Sequence, residues 1–282
     1  MANLEQVLGS ISDIPTLPAI LAKLTQLIAD PATTASDISD VLSRDPGLSA
    51  KVLRIVNSAY FGFPRRIATI THAIVILGFT QMRNLALSAF VVDNFGSGGE
   101  SGFDLLASWR HSIGTAFGAS QIARRLDARL EEDAFVCGLL HDLGKCVMAQ
   151  KAPDDMDRVV EAVKKDNLLF IEAERRTLEY DHAMLGAAII ERWNLPEVMV
   201  NVIRHHHDPS PVGERDRMLA AMVNVANVMS RSLLMGSSGD ARIPRLAPEV
   251  WNLLKFDWGT MERAARRTAD EYRKLEAFFS KS

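Results

Sequence analysis

A histidine followed directly by an aspartate, His141-Asp142, closes the apolar run Val136-Cys137-Gly138-Leu139-Leu140. Adjacent helical residues point about 100° apart, so the two side chains converge on one ion only where a helix ends or distorts. The run predicts a buried helix that carries the pair to the floor of a pocket, with Gly144 as its stop. Alone, such a dipeptide serves as well as a cap or a hydrogen-bonded pair. The other histidines add weight to the metal reading. Of the 7 in the chain, all but His72 fall between positions 111 and 207: His111, His141, His182 and the triplet His205-His206-His207. Neutral imidazoles mixed with a carboxylate suit iron, manganese, zinc or a similar divalent ion.

Each candidate has a plainer alternative. His111 alone reads as a core histidine; taken with the pair and the distal histidines it reads as a ligand. In the triplet, His206 or His207 faces the pocket and His205 turns away, although the helix dipole also favours histidines in a last turn. Lys145 is placed to pair with Asp142 or to reach a phosphate oxygen, or it is a surface lysine.

The elements that must position these groups are helices. Residues 1–17 read as a short helix and a turn, and Ile20, Leu21, Leu24, Leu27 and Ile28 recur at helical spacing up to Asp30-Pro31. Thr34 or Ser36 caps the next helix, Asp45-Pro46 starts another, and Thr71 and Thr80 cap two more separated at Gly78. The loop Tyr60-Phe61-Gly62-Phe63-Pro64 concentrates rings that pack on their own helices, with a partner surface as the alternative. Gly96 to Gly102 reads as a flexible joint.

Beyond the joint, a long helix from Phe103 to about Asp127 holds His111, and Glu131 to Leu140 delivers the pair. Asp154 to Lys165 and Phe170 to Leu178 read as amphipathic helices without obvious chemistry. Asp181 caps a helix with His182 in its first turn, where Gly186 permits close packing, and Pro196 opens the helix that ends at the triplet. Asp216 to Met235 reads as a further helix and carries Asn224 and Asn227. Short and long helices follow at Pro248–Leu254 and Thr260–Phe279. No β-alternating run longer than a few residues occurs, so the fold class is all-α.

The division expected is an N-terminal helical lobe over 1–95, the joint at 96–102, a histidine-bearing lobe over 103–235 and a helical extension over 236–282. A chain of 282 residues with 48% hydrophobic and 24% charged side chains buries a sizeable core. The net charge of −3, with basic doublets such as Arg65-Arg66 scattered among acids, argues against nucleic-acid binding. No run approaches the ~20 apolar residues of a membrane span, and the N-terminus lacks a secretory pattern. Cys137 and Cys146 read as small core residues of a cytoplasmic protein.

The ordered motifs resemble a known superfamily. His111 in Ser108-Trp109-Arg110-His111-Ser112, His141-Asp142 before Gly144-Lys145, His182 in Asp181-His182-Ala183-Met184-Leu185-Gly186 and Ile203-Arg204-His205-His206-His207-Asp208-Pro209 are similar to those of the HD superfamily. Leu17-Pro18, Asp45-Pro46-Gly47-Leu48-Ser49, Val56-Asn57-Ser58-Ala59-Tyr60-Phe61 and Ala73-Ile74-Val75-Ile76-Leu77-Gly78 resemble the front half of its HDOD subgroup. The resemblance covers roughly residues 12–235. It implies an all-helical bundle, and a metal site in His111, His141, Asp142, His182, His206, His207 and the position of Asn227, where HD enzymes usually carry an aspartate. An amide oxygen can ligate but brings no charge and cannot act as a base.

The resemblance therefore implies first a bacterial signalling module, metal-binding but non-catalytic or weakly catalytic. It would act through a signalling protein partner or a small nucleotide-like ligand, with metal occupancy setting the angle between lobes. The alternative is a phosphohydrolase acting on a nucleotide or cyclic dinucleotide, in which ion-activated water attacks phosphorus, with Asp142 and Lys145 as its catalytic groups. A third reading leaves the histidines as relics that bind nothing.

Overall fold

The computed structural model describes residue 9 and residues 19–28, 30–57, 63–95 and 101–279. Apart from residue 9, the expected helix over 1–17 lies outside the described residues, as do the loop residues Tyr60, Phe61 and Gly62 and most of the glycine-rich joint, residues 96–100. Among the described residues every regular element is helical and no strand occurs. None of these helices is long and apolar enough to cross a membrane. They fall into two compact units, one drawn from within 15–94 and 271–282 and the other dominated by residues 95–270.

The first unit is built by cap chemistry. Helix α1 spans Ala19–Ile28 and α2 spans Ala35–Ser43, where Thr34 and Asp37 close a reciprocal capping box. Asp45 accepts from the Leu48 amide at 2.9 Å and Pro46 takes the first position of α3, Pro46–Val56, as its Asp-Pro start predicts. Helix α4, Ile70–Leu77, is capped by Thr69 rather than the expected Thr71. The Thr71 hydroxyl donates to Ser39 on α2 at 2.9 Å instead, since two closely spaced threonines offer equivalent caps and packing decides between them. Gly78, at φ 82°, ends α4, and α5 runs over Phe79–Phe95, so Thr80 lies inside its first turn.

The second unit is organised around α6, Leu105–Leu126, capped by Asp104 and buried almost continuously from Ser108 to Ala123. It packs against α7, Glu131–Leu140, and against α13, Glu214–Ser232. Helices α8 (Leu143–Lys151), α9 (Pro153–Asp166), α10 (Phe170–Thr177), α11 (His182–Arg192) and α12 (Glu197–His205) complete the core. The short α14, Pro248–Leu254, packs on α13, and α15 covers Trp258–Phe279.

Cys137 on α7 and Cys146 on α8 are buried in this core and form no disulfide. Burial pushes the Cys146 thiol up to about 12. A thiol that is both inaccessible and protonated does not attack disulfide reagents. Ellman's reagent is therefore expected to titrate neither cysteine in the native protein and both in guanidinium; rapid native reaction would contradict this packing.

Candidate metal centre

The His-Asp pair occupies the break between two helices. Helix α7 ends at Leu140 and α8 begins at Leu143, so His141 and Asp142 sit at the junction, both fully buried. Gly144 does not stop α7, contrary to expectation; it lies in the first turn of α8. Its missing side chain is a packing requirement, because a Cβ there would stand 2.1 Å from the His182 carbonyl oxygen. Gly138 does the same on the preceding helix, where a Cβ would meet the Thr115 carbonyl oxygen of α6 at 2.9 Å. Gly186 brings α11 close too, its Cβ position lying 3.3 Å from the Gly144 amide nitrogen.

These approaches bring five histidines from four places in the sequence around one carboxylate. Asp142 Oδ2 lies 3.4 Å from His141 Nε2 and 4.0 Å from His111 Nε2. Its Oδ1 lies 3.2 Å from His182 Nε2 and 3.9 Å from His206 Nε2. His207 Nε2 is 2.9 Å from His182 Nε2. The result is two adjacent donor clusters, His111-His141-Asp142 and His182-His206-His207. Both His206 and His207 reach the centre, while their neighbour His205 belongs to neither cluster.

Ring orientation is fixed from behind. His141 Nδ1 lies 2.8 Å from the Gly138 carbonyl and His206 Nδ1 2.7 Å from the Ile203 carbonyl. Donation of Nδ1–H to those carbonyls leaves each Nε2 lone pair pointing inward. His182 is held by Glu174, whose carboxylate accepts the His182 backbone amide at 3.1 Å and meets Nδ1 at 2.5 Å. When Nδ1–H is donated to Glu174, the His182 Nε2 likewise carries a free lone pair. Helix α10, which reads from sequence as lacking chemistry, thus supplies a buried positioning carboxylate. The sequence does carry a signal for it: Glu174 falls on the stripe of Phe170 and Leu178, a charged residue on a buried face.

Lys145 is no surface residue. It is 1% exposed, donates to Asp142 Oδ2 at 2.8 Å and to the Ser238 carbonyl at 3.0 Å, and stands over the Phe170 ring. The loop Gly236–Asp240 that provides Ser238 is pinned by Arg231 to Asp240 at 2.8 Å and by the Ser237 amide to the Ala107 carbonyl at 2.9 Å. Gly239, at φ 84°, lets that loop turn against Phe103 and Phe170, where a side chain would be both strained and crowded.

Asn227 shares a helical face with two residues that bond to site elements. Asn224 donates to the His206 carbonyl at 2.7 Å, and the Ser230 hydroxyl donates to the His111 carbonyl at 3.3 Å. At three-residue spacing between them, Asn227 is buried and its Oδ1 has no hydrogen-bond partner.

The electrostatics favour a cation. Burial pushes all five imidazoles below the ordinary histidine range, His206 down to about 3, so they are neutral donors at pH 7. Burial alone would raise the Asp142 carboxyl, but His141, Lys145, His182 and His111 hold it well below the usual range. Burial would likewise lower Lys145, and Asp142 and Asp240 hold its ammonium above its usual value. His141 Nε2, Asp142 Oδ1 and Asn227 Oδ1 are buried polar atoms without hydrogen-bond partners, which native cores seldom tolerate. Neutral imidazoles, an ionised carboxylate and orphaned lone pairs suit a divalent ion.

An all-helical bundle whose converging His/Asp clusters suggest metal binding defines the class. The HDOD domain model matches residues 14–209, and the chain belongs to that family. It is 32% identical over 260 residues to an uncharacterized protein of Treponema pallidum, covering 92% of this chain and 49% of that protein; the chain thus spans about half the length of this curated relative. An HDOD domain protein of unknown function from Geobacter sulfurreducens is similar throughout, with 26% identity, a TM-score of 0.77 and coverage of 98% of this chain and 92% of that one. A Shewanella amazonensis protein whose name proposes a phosphohydrolase shares 27% identity with a TM-score of 0.73, covering 95% and 97% of the two chains.

Proposed function

We propose that this chain is a regulatory signalling module built on a two-ion divalent metal centre, with little or no hydrolytic activity of its own. The observation that carries the reading is the divided carboxylate of Asp142: one oxygen faces His111 and His141, the other faces His182 and His206. His111, His141 and Asp142 would hold one ion, with Asn227 beside them; His182, His206 and His207 would hold the other, sharing Asp142. Iron, manganese and zinc fit this mixture of imidazole and carboxylate.

Two features support regulation over turnover. Every candidate ligand except His207 is buried, which limits approach by a substrate. Asn227 stands where HD enzymes usually carry an aspartate, so no charge is offered there and no proton is accepted.

The phosphohydrolase reading is kept by a cavity of about 440 Å³ beside His207, lined also by Ser210, Arg217 and Glu249. Bound divalent ions supply Lewis-acid polarisation of a phosphoryl oxygen. In that reading Arg217 at the rim orients an anionic substrate, and Lys145 keeps Asp142 ionised and in place.

Metal analysis of untagged protein and assay of bis(p-nitrophenyl) phosphate test both readings. Wild type is expected to carry iron, manganese or zinc and to show little turnover. Asn227→Asp is expected to raise turnover if the ligand frame is otherwise that of an enzyme. Substantial wild-type turnover overturns the regulatory reading, and a wild type without metal overturns both.

A further inference from the structure

A cleft of about 850 Å³ lies in the N-terminal unit, which holds none of the candidate metal ligands. Its wall is the outer face of α3 and the segment that follows: Ala50, Leu53, Arg54 and Asn57 on one side, Phe63, Arg66, Ile67 and Ala68 on the other. Two guanidinium groups thus line a cleft to which no described carboxylate contributes. Both arginines are exposed, and neither forms an ion pair among the described residues.

The segment carrying Arg66 is fixed. Asn57 Nδ2 donates to the Ile67 carbonyl at 2.8 Å and to the Leu53 carbonyl at 2.7 Å, and its Oδ1 accepts the Ile67 amide at 2.7 Å. Ile67 itself is buried. One side chain therefore grips both backbone groups of Ile67 as a neighbouring strand would, and ties Arg66 to the helix that carries Arg54. Such anchoring reduces the ordering cost of binding.

We propose that this cleft binds a small phosphate-bearing ligand with a flat, weakly polar body, of the nucleotide class. Guanidinium groups match phosphate oxygens in planar forks, and two of them without carboxylate partners supply the charge complement. Phe63, Leu53, Ala50 and Ala68 supply an apolar wall against which a base lies. The volume suits one such molecule, within the range of small-ligand pockets. The inference stands apart from the metal reading, because it concerns a different unit of the chain.

Calorimetric titration of the full chain with AMP, GMP and inorganic pyrophosphate, with adenosine and guanosine as uncharged counterparts, tests it. Saturable binding of at least one nucleotide is expected, with its nucleoside weaker by about tenfold or more. Arg54→Gln and Arg66→Gln are each expected to weaken it by about tenfold or more, since each removes a charge-assisted contact. Arg66→Lys, which keeps charge but loses the fork, is expected to fall between. Both side chains are exposed, so unchanged melting curves should accompany these losses. No saturable binding to wild type overturns the proposal, as does binding that survives the Arg54→Gln/Arg66→Gln double variant.

Discussion

Asp142→Ala is expected to lose metal from both halves of the proposed centre at once, leaving background content where wild type is expected to hold two ions. Neither cluster keeps an anionic donor, since one oxygen faces His141 and His111 and the other faces His182 and His206. The same change strands Lys145, a buried ammonium left with the Ser238 carbonyl as its one hydrogen-bond acceptor among the described residues. Removing one partner of a buried ion pair costs about 3–5 kcal/mol, so the metal-stripped variant should unfold at clearly lower urea than metal-stripped wild type. Adding Lys145→Met removes the stranded charge and should recover much of that stability without recovering metal. The two effects separate by measurement: mass spectrometry reads the ions and urea titration reads the pair. A single variant that keeps full metal would show that Asp142 is not the shared ligand.

Glu174→Ala is expected to weaken one half of the centre selectively. Glu174 holds both the backbone amide and the Nδ1 of His182, and none of its hydrogen bonds among the described residues reaches His111 or His141. Loss of such an outer partner typically costs about 10–100-fold in metal affinity. Competition with a chelator should therefore show one ion released at much lower chelator concentration while the other stays near its wild-type affinity. Glu174→Gln, whose amide oxygen still accepts a hydrogen bond, should restore some of the loss. Equal weakening of both ions would mean that Glu174 supports the fold and not the aim of one ring.

The contrast between Asp142 and Glu174 marks what is legible in the sequence. Asp142 sits in a dipeptide of ligating types beside an apolar run, and the clustering of histidines along the chain is enough to point to its partners. Helix starts are equally legible where cap chemistry is local: Thr34, Asp45-Pro46 and Asp181 stand where expected. Glu174 is harder to read: its place on the stripe of Phe170 and Leu178 marks it as buried, but an acid on an amphipathic helix is usually solvated, and only tertiary packing shows that it faces His182. Gly144 misleads for a related reason. A glycine that ends a helix and one that admits a neighbouring backbone look alike in one dimension, and the second role depends on α11, nearly forty residues away along the chain. The Arg54-Arg66 cleft escapes because Arg65-Arg66 reads as a solvated doublet, with no sequence signal that Asn57 would fix Ile67 beside α3.

The tight approach at Gly144 also bears on how such a centre would be lost by mutation. A methyl group at this position would collide with the carbonyl of His182, so α8 and α11 would have to separate and carry the two halves of the donor set with them. A descendant chain could then retain all five histidines and the aspartate in its sequence and still have a disabled centre. Counting ligands in an alignment would score such a chain as competent. The glycine is the more telling character to inspect, because it reports whether the backbones can still meet.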